Sequence, residues 1–340
     1  MREFVDSIPA RLGKITFFSE SKMIKTVCGE IPDDRLGATL AHEHLYVNLC
    51  IHSGKPDNIV TDEALVISEL AVFRQAGGQS ILEMTSVGLD RNPQALRRIS
   101  EASGVHIVEG ISFYQENTYP EWVHTATMTQ IADFFVRQIE EGDEGVCAGF
   151  LGEITSHNED NPNFREYTLH EGEARVFQAA AQAQQRTGVA ISTHASQGRG
   201  GHAQLDLLED SGADLSRVVI GHCDTYGHED EEQDMRYYHP ILERGAVVEF
   251  DLIGWDDEWF GIMNDDLRAE RLAALIDQGY AGQLVIATDT CRLSQMQANG
   301  GRGFDYIWRD FLPRLRRLGV TEGDIQCILE DNPRRLISID

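Results

Sequence analysis

The chain is poor in basic residues. Its 29 lysines and arginines are outnumbered by 56 aspartates and glutamates, which gives a formal net charge of −27 over 340 residues. Nucleic acids and anionic membranes attract basic surfaces, so the sequence argues against both as partners. An anionic substrate would need a local positive site, because the overall field repels it.

Three further features are missing. The six cysteines form no C-x-x-C pair and are widely scattered, which is typical of reduced thiols in a cytoplasmic protein. No run of 18 apolar residues occurs, so no transmembrane helix is expected. The N-terminal stretch lacks the continuous apolar core and the cleavage site of a signal peptide. We therefore expect a cytoplasmic protein that acts on a small molecule.

The chain does contain a regular alternation of strand and helix patterns. Eight short, nearly continuous apolar runs have the character of strands buried on both faces. These runs are residues 37–44, 79–86, 105–113, 146–154, 189–195, 217–224, 246–252 and 283–290. Helical patterns separate them, most clearly at 62–78, 171–188 and 267–280. The alternation predicts parallel strands joined by helices.

The spacing of these units favours one α/β fold. Strand ends recur about every 35 residues, which suits a (β/α)8 TIM barrel in a single domain. A doubly wound sheet is the rival, but it normally carries a glycine-rich loop after its first strand, where this chain has His-Glu-His. Residues 1–22 precede the first strand pattern and form a predicted N-terminal extension to a barrel of residues 23–340.

Six polar residues fall at the ends of the predicted strands. They are His42, His44, Glu153, His194, His222 and Asp289. The C-terminal strand ends of a (β/α)8 barrel form its active site. His42 and His44 are two residues apart, so they share one face of their strand while Glu43 points elsewhere. Imidazole and carboxylate groups suit Zn²⁺, and also Mn²⁺, Co²⁺, Ni²⁺ or Fe²⁺.

Each of these residues alone has a plain structural interpretation. A lone histidine is commonly a hydrogen-bonded structural residue, and Glu153 or Asp289 could cap the following helix. Together, four histidines and two carboxylates are too many for one catalytic zinc, which takes three protein ligands and water. They fit two metal ions that share a bridging carboxylate. The sequence therefore predicts two divalent metal ions per chain, with zinc as the first choice.

The same segments resemble the phosphotriesterase family of the amidohydrolase superfamily, and within it the phosphotriesterase homology branch. The resemblance runs from about Lys22 to the C-terminus. It is carried by TVCGEIPDDRLGATLAHEHL, GEITS, STHAS, VVIGHCD, ANGGRGFDYI and DNPRRLI. It implies that His42, His44 and Asp289 bind a more buried α metal, and that His194 and His222 bind a more exposed β metal.

The resemblance also implies roles for other residues. Glu153 would bridge the metals, in the place where phosphotriesterases carry a carboxylated lysine and where the homology branch has glutamate. Asp289 would be the catalytic proton acceptor, with His222 in the same network. Asp224 and Asp251 would orient the metal ligands from behind. Family relatives are commonly dimers, so a homodimer is expected.

Substrate choice is expected in the loops at the barrel mouth. In a chain this acidic, arginines there suggest recognition of a phosphate or carboxylate. The candidate substrate-binding residues are Arg292, Arg199, Tyr114 and Arg302. Surface ion pairs are the alternative interpretation of Arg199 and Arg302.

Three functions fit these observations. Hydrolysis of a lactone or ester of a small anionic compound, such as a sugar lactone or its phosphate, is favoured. An amidase acting on N-acyl amino acids or amino sulfonates is the second. A non-catalytic small-molecule-binding protein is the third, against which the intact ligand set argues. Phosphotriester hydrolysis should be weak, because Leu252 follows Asp251 where phosphotriesterase has a proton-relaying histidine.

Overall fold

A central barrel of eight parallel strands organises the chain. The computed structural model describes residues 22–158, 164–195, 198–225, 230–255 and 263–339, so the predicted N-terminal extension, apart from Lys22, lies outside the described residues. The barrel strands are β1 (Thr39–Glu43), β2 (Ser80–Glu83), β3 (His106–Ile111), β4 (Phe150–Ser156), β5 (Ile191–Ala195), β6 (Val218–Gly221), β7 (Val247–Phe250) and β8 (Leu284–Ile286). Each strand pairs in parallel with the next one along the chain.

Hydrogen bonds across the seam between β1 and the end of β8 close the sheet. The Asp289 N–H donates to the His42 carbonyl, and the His44 N–H donates to the Thr290 carbonyl, both at 3.2 Å. The Glu43 carboxylate accepts three more bonds of 2.7–2.8 Å from the Thr288 N–H and hydroxyl and from the Thr290 N–H. The predicted (β/α)8 barrel is confirmed, and Glu43 serves to close it.

Helices cover the outside of the barrel. They are α1 (Glu63–Ala76), α2 (Pro93–Ser103), α3 (Met128–Glu140), α4 (Glu171–Thr187), α5 (Gly201–Asp210), α6 (Glu231–Glu243), α7 (Asp265–Asp277) and α8 (Leu312–Arg317), the last continuing a π-helical turn at Ile307–Phe311. Shorter helices lie at Cys50–Ser53, Glu121–Thr125, Glu322–Gln326 and Asn332–Ile337. The predicted helices at 62–78, 171–188 and 267–280 correspond to α1, α4 and α7.

Two apolar clusters reflect the alternation of side chains along the strands. The larger cluster lies between the sheet and the helices. The smaller one takes one or two residues from most strands, among them Ala41, Leu82, Val108, Phe150, Val219, Val247 and Val285. It also contains Ile24 of the hairpin Met23–Thr26/Gly29–Pro32 and Leu336 of the last helix. The barrel therefore has an apolar interior and floor, with its polar residues at the opposite end.

The fourth strand lies later in the chain than the sequence pattern predicts. A strand was expected at 146–154, but β4 begins at Phe150 and ends at Ser156. Asp143 and Val146 instead pair with each other through two backbone hydrogen bonds of 2.8 and 2.9 Å. Val146 at the end of this turn and Ala148 after it are buried, which is why this stretch resembles the start of a strand.

Two absences can be stated for the described residues. No helix in that part of the chain is both long and apolar enough to cross a membrane. The six cysteines all lie within it, and none of them is in a disulfide.

Replacing Phe135 by alanine is expected to lower the free energy of unfolding by about 3–5 kcal/mol. The Phe135 ring on α3 is fully buried, with its centroid 5.4 Å from that of Phe113, so its removal leaves a cavity. Urea unfolding followed by circular dichroism measures the loss. Phe134→Ala, at a partly exposed neighbour, is the control and should cost less than half as much. Equal losses would contradict the placement of Phe135 in the main core.

Candidate metal centre

The predicted ligands meet at the C-terminal end of the barrel, around the Glu153 carboxylate. Glu153 Oε2 lies 2.9 Å from His194 Nδ1 and 3.3 Å from His42 Nε2. Glu153 Oε1 lies 3.6 Å from His44 Nε2. His222 Nε2 is 3.9 Å from Glu153 Oε2 and 2.7 Å from His194 Nδ1. Glu153 thus contacts histidines of both predicted pairs, and a register shift between Leu151 and Ile154 in the pairing of β4 with β5 flanks it.

Asp289 completes the cluster on the side of β1. Its Oδ1 lies 3.4 Å from His44 Nε2. Asp289 and His222 have φ values of 44° and 54°, in the left-handed region that residues other than glycine rarely adopt. Such conformations cluster at functional sites, where the surrounding structure holds them. For Asp289 the hydrogen bond from its N–H to the His42 carbonyl does so.

Exposure differs across the cluster. The side chains of His42 and His44 are 0% and 3% exposed, whereas those of Asp289 and His194 are 12% and 14% exposed. The histidine pair from β1 is therefore the inner part of the site. Asp289 and His194 face the mouth of the barrel.

The Nε2 atoms of the two inner histidines are placed to bind a metal. His42 Nε2 is buried beside Glu153 but makes no hydrogen bond. The other ring nitrogens are engaged, His42 Nδ1 with Glu249 and His44 Nδ1 with Thr85, each at 3.0 Å. Both rings thus direct Nε2 toward the centre of the cluster. A buried polar nitrogen without a hydrogen bond is costly unless it has another partner, which a divalent cation supplies.

Two sets of ligand atoms are close enough to hold one ion each. Their members are His42, His44 and Glu153 in the first set, and Glu153, His194 and His222 in the second, with all ligand atoms of a set within 4.8 Å of one another. The two sets share Glu153. Histidine nitrogens with a shared carboxylate are the donors that paired Zn²⁺, Mn²⁺, Co²⁺, Ni²⁺ or Fe²⁺ ions accept. The residues present therefore fit two divalent metal ions.

A third set is composed of His42, His222 and Asp251. Here the Nδ1 atoms of the two histidines face the carboxylate, His222 at 2.8 Å and His42 at 3.3 Å. Asp251 also accepts the His222 backbone N–H at 2.8 Å. We interpret this set as hydrogen-bonded support behind the metal ligands, because the Nε2 atoms on the other side of both rings face Glu153.

Burial and neighbouring charges shift the pKa values of the cluster. Burial lowers the pKa of His222, but the charge and hydrogen bond of Asp251 outweigh it and raise that pKa to about 9. Burial and the charge of His222 hold the pKa of His194 below its ordinary value. Burial disfavours the charged form of Glu153, but the charges and hydrogen bonds of His194 and His42 hold its pKa well below the ordinary value. In the metal-free protein Glu153 is therefore an anion beside a protonated His222, and metal binding must displace that proton.

The sequence predicted two residues that support the metal ligands from behind, Asp224 and Asp251. Asp251 contacts two ligand histidines, whereas Asp224 contacts none directly. Asp224 accepts the Leu252 N–H and the Arg268 Nε–H, both at 2.9 Å, and so anchors the segment that follows Asp251.

Sequence reasoning missed Glu249, which lies two residues before Asp251 on β7 and contacts His42. The E-x-D spacing, the same as that of H-x-H on β1, was the available signal. Thr85, which follows β2 and contacts His44, was also missed, and a single threonine gave no signal.

The predicted substrate-binding residues lie in three places. The Tyr114 ring packs edge-on against His194, with centroids 5.1 Å apart. The guanidinium groups of Arg292 and Arg302 lie 4.4 and 5.6 Å from the centre of the Trp255 ring. Arg199 is half-buried before α5 and interacts electrostatically with Tyr167; among the described residues no contact joins it to the six candidate ligands.

Trp255 was not identified from the sequence. Its Nε1–H donates to the Thr288 carbonyl at 2.8 Å, and Arg302 Nη2 donates to the same oxygen. Thr288 immediately precedes Asp289, so these bonds also fix the strand end that carries the catalytic candidate. Arg302 thus donates a hydrogen bond to the protein backbone. The Arg292 guanidinium lies over the Trp255 ring.

Comparisons with known proteins identify relatives that share this fold. The phosphotriesterase homology protein of Escherichia coli is 35% identical over 303 residues, which cover 88% of this chain and 97% of that protein. Its crystal structure, with phosphate in the active site, has a TM-score of 0.81 at 33% identity and covers 89% of this chain and 99% of that chain.

Two other relatives carry different names. The N-acetyltaurine hydrolase of Dictyostelium discoideum is 29% identical and covers 93% of this chain and 98% of its own length. A resiniferatoxin-binding protein from Rhodobacter sphaeroides has a TM-score of 0.81 at 31% identity, over 93% of this chain and 95% of that one. The sequence profile of the phosphotriesterase family matches residues 22–337. The chain belongs to the phosphotriesterase family.

Proposed function

We propose that the protein is a dinuclear metal-dependent hydrolase acting on a carbonyl group of a small anionic substrate, most readily a lactone or ester. The observation that carries this proposal is the position of Glu153, which contacts both histidine pairs through its two oxygens. Two divalent ions held there would lower the pKa of water and polarise a carbonyl oxygen as Lewis acids. Residues of the chain would carry out the proton transfer and bind the substrate.

Asp289 is the proposed proton carrier. Its side chain faces the barrel mouth, and the backbone around it is fixed by hydrogen bonds to β1. It accepts a proton from the attacking water and returns it to the departing oxygen or nitrogen. Asp251 holds His222 through two hydrogen bonds, so the ring keeps one orientation while the proton moves.

The proposed anion-recognition element is Arg292. Its guanidinium stacks on Trp255, three residues after Asp289, which places a positive charge beside the site in a chain of net charge −27. The phosphate in the active site of the Escherichia coli relative supports an anionic substrate. Tyr114, against His194, provides a flat wall for the reacting part of the substrate.

Amide hydrolysis is the second candidate function. It is favoured by the N-acetyltaurine hydrolases, which match over more than nine-tenths of this chain. An amide places the same carbonyl in the site, and the sulfonate of such a substrate would meet the same arginine. The binding-protein alternative is disfavoured, since a receptor has no need of paired ligand sets around one glutamate. Zinc as the native ion, a homodimer and a cytoplasmic location stay predictions.

The Glu153→Ala protein is expected to hold fewer than two metal ions and to lose at least about 100-fold in turnover, because it lacks the shared ligand. Metal per chain is measured by plasma mass spectrometry after reconstitution, and turnover on lactones and on N-acyl amino sulfonates with a pH indicator. Glu69→Gln, at a buried glutamate on α1, is the control. A wild-type chain with one metal or none, and without turnover, would contradict the dinuclear mechanism. Turnover confined to amides would select the second candidate.

The Arg292→Ala protein should show a KM about 10-fold or more higher for an anionic substrate and little change for a neutral ester of the same acyl group. The reason is that only the anionic group meets the guanidinium. Steady-state kinetics on the two substrates measure the difference. Arg98→Ala is the control, since Arg98 pairs with Glu63 at 2.6 Å on the outer surface. Equal losses on both substrates would remove Arg292 from anion recognition.

Metal-free protein is expected to lose stability as pH rises from 6.5 to 9. The folded-state pKa of His222 is raised to about 9, above the value of about 6.5 for an unfolded histidine. In this window the folded chain holds the proton that the unfolded chain releases, so stability falls with pH. Denaturant unfolding in the presence of a chelator measures the slope. Asp251→Asn should flatten it, and an unchanged slope would be inconsistent with an Asp251–His222 ion pair.

A further inference from the structure

Two carboxyl groups, Glu249 on β7 and Asp251 directly after it, support the metal ligands unequally. Asp251 accepts hydrogen bonds from both the ring and the backbone N–H of His222, each at 2.8 Å. Its Oδ2 lies farther from His42 Nδ1, at 3.3 Å. Glu249 lies closer to His42 Nδ1, at 3.0 Å from its Oε2, and no other histidine lies within contact distance of it among the described residues. Both carboxylates are fully buried. His42 therefore depends mainly on Glu249.

We propose that Glu249 is a positioning residue of the metal centre, which fixes the His42 ring with its proton on Nδ1 and with Nε2 directed to Glu153. This inference rests on the proposed function, since it concerns one ligand of the proposed inner metal. A carboxylate that accepts the second N–H of a ligating imidazole sets its tautomer and raises its basicity. Glu249 has the position and the distance for this role.

The cost of burying Glu249 supports a functional role. Its Oε1 is buried and has no hydrogen-bond partner among the described residues. A carboxylate that is buried with one oxygen unsatisfied is unfavourable for folding. An apolar side chain at this position of β7 would avoid that cost, as Val247 does two residues earlier on the same face. A buried carboxyl group at this position is explained if it holds His42 for a metal.

The two β1 histidines receive different support. His44 Nδ1 contacts the neutral hydroxyl of Thr85, whereas His42 Nδ1 contacts the carboxylate of Glu249. A carboxylate makes its histidine the more basic ligand. Of the two, His42 is thus the stronger ligand of the inner metal, and Glu249 controls how long that metal stays bound.

The test measures metal release from the holoprotein. Wild type, Glu249→Gln and Glu249→Leu are loaded with Zn²⁺, and release to a chromogenic chelator is followed. The leucine variant should release one of its two ions about 10–100-fold faster than wild type. The glutamine variant, which keeps an acceptor oxygen of similar size, should fall between them. Glu109→Gln is the matched control, since Glu109 is equally buried but pairs with Arg91 at 2.9 Å, away from the site.

A second readout reports the ring directly. Nitrogen-15 spectra of labelled histidine should show His42 with a protonated Nδ1 in wild type, and this signature should be lost in Glu249→Leu. If Glu249→Leu releases both ions at the wild-type rate and its His42 spectrum is unchanged, the inference is overturned and the proposed function is unaffected. If Glu109→Gln releases metal as much faster than wild type as Glu249→Leu does, the effect is due to lost stability, and the inference is again overturned. A wild-type chain that retains no zinc would overturn both the role of Glu249 and the proposed dinuclear function.

Discussion

The seam between β1 and the end of β8 is the constraint on which the site depends. A parallel sheet becomes a barrel only when its first and last strands pair, and here His42 and His44 accept and donate the closing backbone bonds. The same residues carry the inner imidazoles, and their partners across the seam are the backbone groups of Asp289 and Thr290. Closing the barrel and assembling the inner half of the centre are therefore one event. Glu43, between the two histidines, has no role as a ligand in this arrangement, since its carboxylate is occupied by Thr288 and Thr290.

Charge in the site is arranged in layers from the barrel axis outward. Glu153 is at the centre, the histidines surround it, and Glu249 and Asp251 lie behind two of them. Acidic and basic groups alternate from one layer to the next, which offsets part of the cost of burying so many ionisable groups together. The layering also orients every ring, because each inner histidine uses one nitrogen for support and presents the other to Glu153. The centre is thus preorganised by the barrel rather than by its loops.

The sequence was most informative where strand periodicity and chemistry coincide. The apolar runs located seven strands closely, and the histidines and carboxylates at the ends of several of them placed all six ligand candidates at one end of the barrel. The fourth strand was placed too early, because the stretch at 146–148, which leads from a turn into β4, is as apolar as a strand start. Glu249 was not predicted, because a single glutamate inside an apolar run cannot be recognised as a supporting residue until the strand it contacts is known. Trp255 likewise gains its meaning only from Thr288 and Arg292, which are distant in the chain.

Relatives that share this barrel act on different compounds or are named for binding one, so the metal centre alone does not choose a substrate. Carbonyl hydrolysis needs only the centre and a proton carrier, and these come from strand ends. In the proposed function selectivity comes from the mouth, where the negative field of the whole chain repels anions and a few guanidinium groups would attract them locally. We propose Arg292, which lies over the Trp255 ring three residues after Asp289, as the residue that distinguishes one anion from another, while Arg302 donates to the Thr288 carbonyl. In the proposed function the barrel therefore supplies the reaction chemistry, and we propose that the groups around Trp255 select the small anion that undergoes it.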